Sequence, residues 1–184
     1  MRAGRAADDC IQRLVFYHGR MKKFFALVAA LAFSAGVFAA EKDTAAAIEQ
    51  RVADAVQSSK VTVVHFWATW CENCKTELKS GGWTKIVEAN PDVNFIFVTV
   101  RDEKPGAPVL AKFGLGAQKN FTNLQHPNGS QIKGEELASF MGQRLGWVPA
   151  TWVYREGKQR YAINYGQTRP EMLQQMITDS SKSW

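Results

Sequence analysis

The residues with the clearest chemistry are Cys71 and Cys74, in the run Trp67-Ala68-Thr69-Trp70-Cys71-Glu72-Asn73-Cys74. They stand at i and i+3, between an apolar β-like segment and a stretch with helical character. A cysteine at a helix N-terminus faces unpaired N–H groups and the positive end of the dipole, which favour a thiolate. A lowered thiol pKa makes Cys71 the expected nucleophile. Cys74, nearly one turn further on, is within disulfide reach and should be the more buried of the two. It suits the resolving role, attacking a mixed disulfide and releasing the product.

The elements that must position this pair follow from periodicity. Thr44 to Ser58 reads as an amphipathic helix with Thr44 as N-cap and Ile48, Val52, Ala55 and Val56 on one face. Val61 to Trp67 is apolar at nearly every position, as a central strand buried on both faces requires. A helix from about Glu72 to Glu88 should kink at Gly81-Gly82 and end at Asn90-Pro91. Val93 to Val100 is a second buried strand. A turn over Asp102 to Gly106 precedes a short helix that opens at Pro108 and ends near Gly114. Phe121 to Gln125 reads as a short strand, followed by a tight turn at His126-Pro127-Asn128-Gly129. Gly134 to Leu145 is expected to be a helix with Leu137, Phe140, Met141 and Leu145 inward. Ala150–Tyr154 and Gln159–Tyr165 flank Glu156-Gly157-Lys158 as a hairpin. Thr168 to Thr178 is a last helix, with Thr168 as N-cap and Glu171 completing a capping box. Strands separated by helices and then a hairpin predict an α/β fold, a mixed central sheet with helices on both faces.

Charge first suggests an acidic partner: the 184 residues carry a net +6. The N-terminal segment removes that reading. Met21-Lys22-Lys23, the apolar run Phe24 to Ala40 and the small residues at its end make a secretory signal, with cleavage expected after Ala39 or Ala40. Residues 1–20 do not resemble a signal start and are read as an upstream extension absent from the native protein. Residues 21–40 are then the signal peptide and 41–184 the working domain. Losing six Lys/Arg and two Asp/Glu with residues 1–40 lowers the charge from +6 to +2. Nucleic-acid binding loses its support. An uncleaved signal would instead act as a membrane anchor. The cut also removes Cys10, leaving Cys71 and Cys74 as the only cysteines, in an oxidising compartment.

Phe66-Trp67-Ala68-Thr69-Trp70-Cys71-x-x-Cys74 resembles the active-site signature of the thioredoxin superfamily, most closely that of periplasmic TlpA/ResA-like thiol–disulfide oxidoreductases. Trp147-Val148-Pro149-Ala150-Thr151 is similar to that family's cis-proline loop, and about Gly106 to Leu145 corresponds to its insertion. The resemblance implies a thioredoxin-like fold with a cis Pro149 packed beside Cys71, where free peptide groups can pair with an extended client. It implies that Trp70, Val148 and Trp147 line the client surface. It also implies a periplasmic location, client proteins with cysteines or disulfides, and a membrane electron donor for regeneration. No cofactor and no resident metal are implied.

Two departures from the family pattern stand out. Asn73 occupies the position before the second cysteine where proline is usual, and Glu72 adds a carboxylate beside the reactive sulfur. His65 stands where thioredoxins carry a buried aspartate that relays a proton to the second cysteine. Its ordinary pKa near 6.5 suits a general base. The plainer role for a lone strand histidine is structural. Lys75 is a candidate for tuning the local potential, and His126 is expected to have no catalytic role.

The leading reading is thus an exported thiol–disulfide oxidoreductase that exchanges its CxxC dithiol or disulfide with client cysteines. Reduction is the favoured direction, and Asn73 and Glu72 leave the direction open. The alternative is a copper or zinc delivery module, with two thiolates and His65 or His126 as ligands. The absence of a second CxxC weighs against it.

Overall fold

A computed structural model of the chain describes residues 43–182. The residues read as an upstream extension and a signal peptide, and Cys10 with them, lie outside the described residues. Thr44 caps the first helix, α1 (Ala45–Val56), its hydroxyl accepting the Ala47 N–H at 3.1 Å. Ile48, Val52 and Val56 on one stripe of α1 are fully buried.

Strand β1 (Thr62–Trp67) is buried at all six positions because it has a neighbour on each side. It runs parallel to β2 (Asn94–Thr99) and antiparallel to β6 (Ala150–Arg155). Strand β3 (Phe121–Gln125) extends the sheet parallel to β2, and β7 (Lys158–Ile163) closes the other edge antiparallel to β6. The five-stranded order is β3-β2-β1-β6-β7. Alternation of side chains along β1 divides the core. His65 meets Trp83 and Phe97 on one face, and Phe66 meets Trp152 and Phe140 on the other.

The helix expected over 72–88 is two helices, α2 (Glu72–Lys79) and α3 (Gly82–Ala89). Gly81 takes a left-handed φ of 68°, which glycine adopts without steric cost, so the expected kink is a full break. Gly82 then packs so closely on Pro170 that a Cβ would collide with it. A short helix, α4 (Ala107–Lys112), follows β2, and α5 (Pro170–Ser180) ends the domain.

Two expectations are corrected. Residues 134–145 do not form a helix. They form a loop and a two-stranded hairpin, β4 (Ser139–Phe140) and β5 (Gln143–Arg144), turning through Met141 and Gly142 at φ 49° and 73°. The buried Arg101 guanidinium instead ties this segment down through the carbonyls of Leu137, Leu145 and Gly146, of which a helix over 134–145 would have used only that of Leu137 internally. Thr168 is not the N-cap of α5. Arg169 holds that place without a side-chain cap bond, because the Thr168 hydroxyl is engaged by Thr151 at 2.9 Å.

Candidate active site

The pair forms where β1 runs out into α2. Cys71 is the N-cap of α2, with extended backbone, and its Sγ accepts the Cys74 N–H at 3.2 Å. Here a sulfur occupies the capping position usually held by a hydroxyl or carboxylate, so a Cys71 thiolate would receive an amide donor and the helix dipole together. Cys71 and Cys74 are joined as a disulfide with Cα atoms 5.3 Å apart. Cys71 is 6 % exposed and Cys74 1 %, so an incoming sulfur reaches Cys71 first.

The Val148–Pro149 peptide bond is cis, and the Val148 carbonyl oxygen lies 3.6 Å from Cys71 Sγ. Pro149 itself is buried and opens directly into β6. Trp70, immediately before the cysteine, is 41 % exposed, with its indole N–H fixed on the Arg101 carbonyl at 2.7 Å. Trp147 is 65 % exposed and meets Tyr165 edge-on, so it belongs to the surface beside Val148 rather than to the core. The loop ahead of α2 is held by Asp102, whose carboxylate accepts the Thr69 and Lys104 amides. Glu72 pairs with Lys75 and is held below the usual carboxylate range by that lysine, so it remains a charge beside the sulfurs.

His65 lies beneath this surface in a polar cluster the sequence did not reveal. Its Nδ1 is 2.9 Å from the Thr151 hydroxyl, which is 2.9 Å from the Thr168 hydroxyl. The Thr168 N–H donates to Glu77 Oε1, and Glu77 Oε2 lies 3.4 Å from His65 Nε2. Burial pushes His65 down to about 3, so the ring is neutral near pH 7 and the contact is not an ion pair. Burial pushes Glu77 up to about 7, against hydrogen bonds from the Thr168 amide and the Trp83 side chain. Glu77 Oε2 makes no hydrogen bond among the described residues, so it meets His65 Nε2 as a close polar contact, while the hydrogen-bonded chain runs from His65 Nδ1 through the Thr151 and Thr168 hydroxyls.

Glu77 follows Cys74 by three residues, so the two side chains are neighbours on the buried face of α2. That spacing is the signal that could have identified it: a carboxylate in phase with Cys74 and Leu78, the other buried positions of the helix. His126 is buried and remote in role, its Nδ1 accepting the Asn128 N–H at 3.2 Å. Among the described residues no three His, Cys, Asp or Glu side chains gather in a way that could hold a metal ion.

A thioredoxin-like domain model matches residues 48–181. The chain belongs to the thioredoxin-like family. Comparison with curated protein sequences gives no match. Among solved structures it resembles a secreted Mycobacterium tuberculosis disulfide oxidoreductase homologous to E. coli DsbE, at 25% identity and TM-score 0.51, over 68% of this chain and 85% of that one. A DsbF homologue from Corynebacterium diphtheriae shares the fold at 20% identity and TM-score 0.51, covering 68% and 74% of the two chains. So does a thiol:disulfide interchange protein of the thioredoxin family from Chlorobium tepidum, at 17% identity and TM-score 0.50, covering 70% and 85%. The thioredoxin-like domain therefore carries its CxxC disulfide on the same fold as thiol–disulfide oxidoreductases.

Proposed function

We propose that the protein is an exported reductant of client-protein disulfides, with Cys71 as nucleophile and Cys74 as resolving thiol. The observation that carries this reading is Cys71 Sγ, capping α2 through the Cys74 N–H and standing 3.6 Å from the Val148 carbonyl. In the reduced protein the Cys71 thiolate attacks one sulfur of a client disulfide. The client S–S bond breaks, a mixed disulfide forms, and the other client sulfur leaves as a thiolate that takes a proton. Cys74 then gives up its proton, attacks Cys71 Sγ and releases the second client thiol. The Cys71–Cys74 disulfide results. Regeneration takes two electrons from a membrane electron donor and one proton from solvent, which restores the Cys71 thiolate and the Cys74 thiol.

Glu77 is the acceptor for the Cys74 proton in this scheme, and His65 positions it. His65 thus acts through Glu77 rather than on the sulfurs. The exposed Trp70 and Trp147 line one groove with Val148, where an extended client can dock. Export is supported by the basic-apolar-small pattern of residues 21–40 and by the secreted mycobacterial relative. No helix among the described residues is long and apolar enough to cross a membrane. The metal-delivery alternative is disfavoured by His65, whose two ring nitrogens face Thr151 and Glu77.

The test is trapping in the exporting cell. Cys74→Ser is expected to accumulate clients as mixed disulfides on Cys71, released by dithiothreitol. Cys71→Ser should capture none. Equal capture by both variants, or none by either, would count against the mechanism.

A further inference from the structure

Trp70 is a ridge between two open grooves. One, of about 670 Å³, runs along Leu145–Val148 and so leads to the carbonyl beside Cys71. The other, of about 560 Å³, lies against Asp102–Lys104 and the 129–132 loop. Charge is distributed unevenly between them. In the first groove Arg101 is occupied by three backbone carbonyls. Glu136 stays ionised in the same groove, and its charge offsets that of Arg101. Its carboxylate takes amides of its own loop and is held below the usual carboxylate range by those bonds and by Arg101. Lys133 and Arg144 remain, both exposed, and neither makes an ion pair among the described residues. In the second groove Asp102 is occupied by backbone amides. Glu103 and Glu135 are exposed there, with Lys104 as the one opposing lysine in the lining.

The surface around the reactive sulfur is thus cationic on the Val148 side of Trp70 and anionic on the other. A client segment approaching Cys71 meets that field whatever its sequence. Complementary charge speeds encounter, and like charge placed opposite costs affinity. Resting on the oxidoreductase reading, we propose that the Lys133–Arg144 groove takes an acidic side chain of the client, so that the preferred substrates are polypeptide disulfides with Asp or Glu close to the attacked cysteine. The two lysine and arginine side chains act on selection and not on the sulfur chemistry. The anionic groove strengthens the choice by fixing which way the client segment runs across Trp70.

The experiment compares matched peptide disulfides in which the attacked cysteine is flanked by Glu, Gln or Lys, each reduced by the full chain. The quantity read is the ratio of second-order rates, Glu peptide over Lys peptide. The expected ratio is about tenfold at low ionic strength, falling toward one at about 0.5 M salt, where the Debye length is only a few ångströms. The double variant Lys133→Glu/Arg144→Glu should bring the ratio below one. Lys85→Glu, on exposed α3 surface that lines neither groove, should leave it unchanged and so controls for net charge. A wild-type ratio near one, or the same ratio in the double variant, overturns the proposal while the oxidoreductase reading stands. Failure to reduce even the Gln peptide would overturn both.

Discussion

Glu77 and His65 are buried ionisable groups whose pKa values move in opposite directions, and their effects on stability oppose each other over part of the pH range. His65 falls from 6.5 to about 3 on folding, so the unfolded chain holds the extra proton between those values and stability rises with pH there. Glu77 rises from 4.5 to about 7, so the folded chain holds the extra proton and stability falls with pH across that window. Between pH 4.5 and 6.5 the two slopes cancel. Glu77→Gln removes the falling limb. Relative to wild type, the variant should gain stability steadily from pH 4.5 to about 7, as followed by urea unfolding at a series of pH values. The same variant should slow the resolving step and flatten its rise near pH 7, because the amide cannot accept the Cys74 proton. Parallel stability curves for the two proteins would show that Glu77 is ionised throughout. Sequence alone exposed half of this arrangement. His65 is visible because it interrupts an apolar strand. Its partners Thr151, Thr168 and Glu77 come from β6, the α5 approach and α2, and only tertiary packing joins them.

At the scale of elements, local pattern identified the central strands because continuous apolar runs such as Thr62–Trp67 have few alternatives. The β6–β7 hairpin was equally legible, from a turn sequence between alternating strands. Residues 134–145 were not legible. Leu137, Phe140, Met141 and Leu145 fit a helical period, yet a distant guanidinium decides their conformation. Arg101, itself at φ 53°, is tied to three carbonyls of this segment, and the Leu145 N–H returns to the Ala138 carbonyl at 2.9 Å. Hydrogen bonds to a charged group contribute about 1.5–3 kcal/mol each. Their effects are not additive, and carbonyls released at the surface are rehydrated. Arg101→Met should therefore cost about 3 kcal/mol. The loss should be local, with faster amide exchange at Leu145 and little change in β1 or β2. A uniform loss of protection across the sheet would mean that Arg101 supports the whole core and not this one segment.

At the scale of the molecule, the proposed export would require a cut that leaves the folding unit whole, and the core indicates which elements that unit needs. The side chains of Ile48, Val52 and Val56 are 0–1 % exposed, and Glu49 reaches from the same helix to accept the Met141 N–H at 2.9 Å. The helix is thus part of the core and also anchors the loop beside the active site. Burying each of the three aliphatic side chains contributes about 1.5–3 kcal/mol. Together they amount to much of the 5–15 kcal/mol that a domain typically has. Cleavage after Ala39 or Ala40 lies upstream of the Thr44 cap and leaves every one of these contacts intact. A chain starting at Glu41 should therefore show one cooperative thermal transition and full disulfide exchange. A chain starting at Lys60 should lose near-UV circular dichroism at 37 °C and expose apolar surface on β1 and the 137–141 loop. If the shorter chain melted like the longer one, α1 would be an accessory to the fold, and the position of signal cleavage would no longer be constrained by stability.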